Sequence, residues 1–155
     1  MDNAYIKPFI SAARNIIEQA LDAEAVFDKA FIKESPFIAD DLLVIIGVTG
    51  IMNGKVMVTV DKNSCIKIAS KMSGGRTVGF DEITKSAIGE LCNMILGSTA
   101  TIFANQGSHI SITSPTIIEG CNIKVSQKET IFCIPIKIPD SMELVINIST
   151  DTIYA

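Results

Sequence analysis

A chain of 155 residues, 48% of them hydrophobic, has the length of one ordinary domain and enough apolar surface to bury a real core. Its formal net charge of −4, with scattered Lys and Arg and no Trp, argues against nucleic acid as a partner. No apolar run approaches the ~18 residues of a membrane helix, and residues 1–7 carry Asp2 and no basic, apolar leader, so a cytoplasmic protein without membrane contact is expected.

In chain order, Ile6, Phe9, Ile10, Ala13, Ile16, Ile17 and Ala20 recur at helical spacing and predict an amphipathic helix over residues 5–21, with Pro8 in its first turn. Residues 26–36 read as extended. Residues 42–48 are a nearly continuous β-branched run, as in a strand covered on both faces, and a second strand follows over residues 55–60. Asn53-Gly54 between them suits a tight hairpin turn, because both residues tolerate positive φ. Asp61 or Ser64 caps a helix running to Met72, which Gly74-Gly75 ends. Asp81 caps a long helix reaching about Asn105, and Gln106-Gly107-Ser108 forms a loop. Residues 121–125, 130–138 and 142–149 are rich in β-formers, with turns at 126–129 and 139–141. The expectation is an α+β fold of one domain spanning residues 1–155: a mixed, mostly antiparallel sheet with long helices packed on it, in which helix-plus-strands occurs twice.

Several chemistries lack their parts. His109 is the only histidine, so a Ser/His/Asp triad or a zinc centre would have to be built around one residue in a loop or strand start. Cys65, Cys92, Cys121 and Cys133 lie far apart with no C-x-x-C pair, which predicts mostly buried free thiols and no metal site. The stretch Gly47–Lys55 imitates a phosphate loop, but Gly50 is one residue too close to Gly54-Lys55, Val56 stands where Ser or Thr is needed, and the segment joins strand to strand.

The long helix offers more. Ser86, Glu90, Asn93 and Gly97 fall at i, i+4, i+7 and i+11, within an arc of roughly 60° on a helix turning ~100° per residue. Ile88, Leu91, Ile95 and Ile102 lie opposite, so burying that side leaves Ser86, Glu90 and Asn93 to solvent, with Gly97 and Ala100 leaving room for a partner. An exposed carboxylate one turn from an exposed amide can pair with a partner's cation and hold a water. The same pattern also describes the wet side of any amphipathic helix. Spacing alone is weak, since Glu119-Gly120-Cys121-Asn122 repeats Glu-x-x-Asn in what reads as a turn leading into a strand.

The segment Ser86-Ala87-Ile88-Gly89-Glu90-Leu91-Cys92-Asn93-Met94 resembles the helix signature of the CheC/CheX/FliY family of bacterial chemotaxis phosphatases, in which Asp or Ser precedes Glu by four residues and Asn follows three later. Ile45-Ile46-Gly47-Val48-Thr49-Gly50, Met72-Ser73-Gly74-Gly75 and Ile112-Thr113-Ser114-Pro115-Thr116 extend the resemblance in order along most of the chain. The first helix carries Ser11, Asn15 and Glu18 at the same spacing with Glu and Asn exchanged, a pattern read as a non-site. One active helix favours the CheX branch.

The resemblance implies a phosphatase acting on the aspartyl phosphate of a CheY-type response regulator. Glu90 would pair with the regulator's active-site Lys, Asn93 would orient the attacking water, and Ser86 and Gly97 would meet the partner. It implies no cofactor of the chain's own, Mg²⁺ held by the regulator, and a homodimer. Cys92 is expected to pack inward. The competing expectation is a docking module, without chemistry, for a response regulator or a flagellar switch component.

Overall fold

The protein is described by a computed structural model covering residues 3–76 and 79–151. The elements are α1 (Asn3–Leu21), β1 (Val26–Phe27), β2 (Phe31–Lys33), β3 (Phe37–Gly50), β4 (Gly54–Val60), α2 (Lys62–Met72), α3 (Glu82–Asn105), β5 (Ile110–Ile112), β6 (Thr116–Val125), β7 (Ile131–Ile138) and β8 (Met142–Thr150). All eight strands join one antiparallel sheet in the order β1-β7-β8-β4-β3-β5, with β2 also on β7 and β6 also on β3.

This order gives the sequence echo a physical form. Hairpin β3–β4 and hairpin β7–β8 meet through β4 and β8, from Gly54 opposite Thr150 to Thr59 opposite Val145. Each hairpin receives on its outer side a strand from the other half of the chain, β6 on β3 and β1 with β2 on β7. The two halves therefore exchange edge strands about the middle of the sheet, and α1 and α3 are the corresponding helices.

Period-two alternation sorts the side chains. Leu42, Val44, Ile46 and Val48 on β3, with Val56, Val58 and Val60 on β4, join the main core against Phe9 and Ile17 of α1 and Ile88, Leu91 and Ile95 of α3. The edge of Phe9 packs on Phe103, with centroids 6.1 Å apart and planes at 75°. The opposite face holds a smaller cluster of Phe37, Ala39, Leu43, Met57, Val125 and Ile131. β3 is thus covered on both faces over its middle, as its unbroken apolar run predicts. Among the described residues, α3 is the one helix long and apolar enough to cross a membrane; 44% of its most apolar window is buried within the protein, which accounts for its composition by core packing.

Four details depart from expectation. The β3–β4 connection is not a two-residue turn at Asn53-Gly54. Gly50 takes the positive φ, 117°, and residues 51–53 make the loop. Gly54 lies in β4, where a Cβ would fall 1.9 Å from the Ser149 carbonyl oxygen, so close approach to β8 requires the glycine. The helix of the first half starts at Asn3, which moves Pro8 past the first turn to a position where an interior residue would donate its N–H. Residues 116–125 form one long strand, so Glu119 to Asn122 is no turn: the register of β6 slips opposite Ala39 and Asp41, and Asn122 has φ 54°. β5, too short to show a period, had no counterpart in the sequence reading.

Candidate functional site

The site is built on α3, whose start is fixed by its own residues. Asp81, extended at φ −111°, caps the helix by accepting the Thr84 N–H at 2.9 Å, and the Thr84 hydroxyl donates back to the Gly79 carbonyl. That N–H bond is the main reason the Asp81 carboxyl is held below its ordinary range. The helix is then locked in rotation. Lys85 crosses the Phe80 ring at 5.0 Å to reach Glu119 of β6 at 2.7 Å and Glu82 at 3.4 Å. The bond to Glu119, above all, raises its ammonium pKa. One turn on, a Cβ at Gly89 would come within 2.9 Å of Ile117 Cδ1, so the absence of a side chain lets β6 lie against α3.

With Lys85 and Gly89 on β6 and with Ile88, Leu91, Cys92, Ile95 and Leu96 in the core, the remaining arc of α3 faces outward. Ser86 and Glu90 are exposed there, and Asn93 and Gly97 are half-exposed. The structure therefore brings all four sequence-predicted site residues onto one accessible strip, with Ile102 packed partly against the core on the other side. Among the described residues, none of the side chains of Ser86, Glu90 and Asn93 takes part in a hydrogen bond or ion pair, which leaves a carboxylate and an amide available to a partner. A Cβ at Gly97 would meet no atom within 4 Å. No internal packing requires that glycine, and the space above it stays open.

Cys92, between Glu90 and Asn93, points inward. Burial, with a smaller contribution from nearby Cys65, pushes its thiol up to about 12, so it stays protonated at neutral pH. Cys65 and Cys133 are also buried, and Cys121 is exposed on β6. His109 is exposed, with its ring Nε2 3.1 Å from Ser111 Oγ. Among the described residues, no three His, Cys, Asp or Glu side chains are grouped to hold a metal ion. On α1, Ser11, Asn15 and Glu18 are all exposed, so the exchanged pattern also lies on an open helix face.

One feature beside the strip had no counterpart in the sequence reading. A recess of about 200 Å³ lies between the end of α2 and the first half of α3, lined by Ala69, Met72, Ser73, Ile83, Ala87 and Glu90. Its signal in the sequence is Ile83, a large apolar residue on the polar side of α3, 71% exposed.

The fold has counterparts among known proteins. A chemotaxis protein CheX from Desulfovibrio desulfuricans superposes with a TM-score of 0.84 at 24% identity, covering 96% of this chain and 99% of that one. A chain of the CheX–CheY–BeF3–Mg²⁺ complex from Borrelia burgdorferi superposes with a TM-score of 0.81 at 27% identity, covering 94% and 97%. The CheY-P phosphatase CheX of Thermotoga maritima is 30% identical over 139 residues, which span 89% of this chain and 90% of that protein. The family model for the chemotaxis phosphatase CheX matches residues 42–137, a stretch that contains all of α3. The chain belongs to the CheX family.

Proposed function

We propose that this chain, acting as one domain, hydrolyses the aspartyl phosphate of a CheY-type response regulator in chemotaxis or related two-component signalling, and that α3 carries the chemistry. The observation behind this reading is the strip of Ser86, Glu90 and Asn93, exposed to half-exposed and without internal partners, on a helix whose rotation is fixed by Lys85 and Gly89. Family membership, the name of the Thermotoga relative and the complex formed by the Borrelia relative support the choice of substrate.

In this mechanism Glu90 pairs with the active-site Lys of the regulator and seats α3 over the phosphorylated Asp. The Asn93 side chain enters beside the phosphoryl group and holds a water in line with the bond to be broken. Hydrolysis of such a group depends on placement of the water more than on a strong base, so an amide suffices. Ser86 lies at the rim, and the open space above Gly97 admits the partner's backbone. The Mg²⁺ belongs to the regulator; the chain contributes positioning and no cofactor. The reaction takes place in the cytoplasm between the regulator and a homodimer of this chain, to which the long edge strand β6, bonded to β3 on one side, offers a pairing edge.

The test is loss of phosphate from a phosphorylated CheY-type regulator in Mg²⁺, alone and with the parent protein, Glu90→Ala or Asn93→Ala. Acceleration by the parent and not by Asn93→Ala, with regulator binding kept by Asn93→Ala, is the expected result. Binding without acceleration by any form would make the chain a docking module. Light scattering that finds a monomer at every concentration would remove the dimer from the proposal.

A further inference from the structure

The recess beside Glu90 has a shape and polarity that the catalytic strip does not explain. Pockets that hold small molecules run to about 300–1,000 Å³; at about 200 Å³ this one suits a single side chain. Ala69 and Met72 of α2 and Ile83 and Ala87 of α3 supply apolar walls, whereas the rim carries Glu90 and Ser73. Ser73 is the C-cap of α2, so the negative end of that helix dipole lies at the rim beside the Glu90 carboxyl. Lys71 in the last turn of α2, which would offset that charge, lies 3.9 Å from Asp140. The surface thus joins an apolar socket to a negative edge, and the complement is a cation with an apolar side chain next to it.

Glu90 lines both this socket and the strip of Ser86 and Asn93, so one partner spans the two. We infer that the recess receives one apolar side chain of the phosphorylated regulator, presented beside the Lys that Glu90 engages, and that Ile83 and Met72 determine which regulators fit. This inference rests on the phosphatase reading above. It assigns Ile83, 71% exposed in the free protein, a buried place in the complex. An apolar anchor in a desolvated pocket next to a charge pair is the arrangement that concentrates binding energy in protein interfaces.

Two variants probe the socket without touching Ser86, Glu90 or Asn93. Ala87→Phe fills it from one wall, and Ile83→Ser removes another. Because Ile83 is largely exposed, its replacement should leave thermal melting near that of the parent. With a CheY-type regulator phosphorylated by acetyl phosphate in Mg²⁺, each variant should raise KM about tenfold while kcat stays within about twofold. An unchanged KM in both, or a fall in kcat at constant KM, would overturn the inference while leaving the phosphatase reading intact. Failure of the parent itself to accelerate phosphate loss would remove that reading and the inference with it. A second measurement identifies the occupant: Ile83→Cys in a Cys121→Ser background, carrying a benzophenone photocrosslinker, should join to the regulator in the presence of beryllofluoride. Crosslinks found only to a second copy of this chain would show the socket to be a dimer contact and overturn the inference.

Discussion

α1 and α3 occupy corresponding places in the two halves of the fold, and each shows solvent a Ser followed at i+4 and i+7 by one carboxylate and one amide. On α1 the order is Ser11, Asn15, Glu18; on α3 it is Ser86, Glu90, Asn93. Composition therefore does not distinguish the helices, and exposure differs only at the amide, Asn15 being exposed and Asn93 half-exposed. Order and surroundings do. On α3 the carboxylate comes first and borders the recess formed with α2, while Lys85 and Gly89 tie the helix to β6. On α1 the amide comes first, and neighbouring Arg14 lies 4.9 Å over the Phe27 ring. A site of this kind is defined by where each group meets the partner, because neither Glu nor Asn has chemistry here that solvent lacks until the partner fixes it.

The comparison breaks most directly at Asn93. Asn93→Ala should lower kcat for phosphate loss about 100-fold with little change in regulator affinity, since in the proposed mechanism it removes the amide that holds the water and leaves Glu90 in position. Single-turnover measurement at saturating regulator separates the two. Glu90→Ala should act mainly on binding, raising KM about tenfold and flattening its salt dependence, because an exposed ion pair is screened by added salt. Titrating KM against ionic strength for parent and variant reads both effects. A smaller change is expected on the other helix: giving α1 the order of α3, by Asn15→Glu with Glu18→Asn, should leave activity within about twofold of the parent and should not rescue Asn93→Ala. Rescue would mean that order alone makes the site and that the recess and the β6 tether add nothing.

The course of α3 was legible in the sequence because its signals agree. Asp81 as cap, the apolar residues at helical spacing and the polar strip all give one rotation, and the structure places Glu90 and Asn93 on the outer face that this rotation predicts. The long strands were legible for the same reason. What failed was local and depended on partners distant in sequence. Gly54 looked like a turn residue until β8 was seen against it, and Glu119 to Asn122 looked like a turn until β3 supplied the register in which they form a bulge. Lys85 carried no signal in the sequence; its side chain is only 11% exposed because Phe80 and Glu119 enclose it. The recess was illegible because its walls come from two helices whose contact no periodicity specifies.

The smallest expected effect concerns how α3 begins. Asp81 and an Asn in its place can both accept the Thr84 N–H, so Asp81→Asn keeps the cap and removes only the charge at the positive end of the helix. The folded carboxyl ionises below its ordinary value of 3.8, chiefly through that N–H, so the folded state binds the proton less readily than the unfolded chain does. Its charge therefore adds stability at every pH above 3.8, and that stability is lost as pH falls through the lower folded value. The parent should melt about 1–3 °C above Asp81→Asn at pH 7, and the two curves should converge in acid well below pH 3.8. A constant offset between them across that range would mean that the asparagine caps less well and that the charge contributes nothing; the start of α3 would then owe its stability to hydrogen-bond geometry alone.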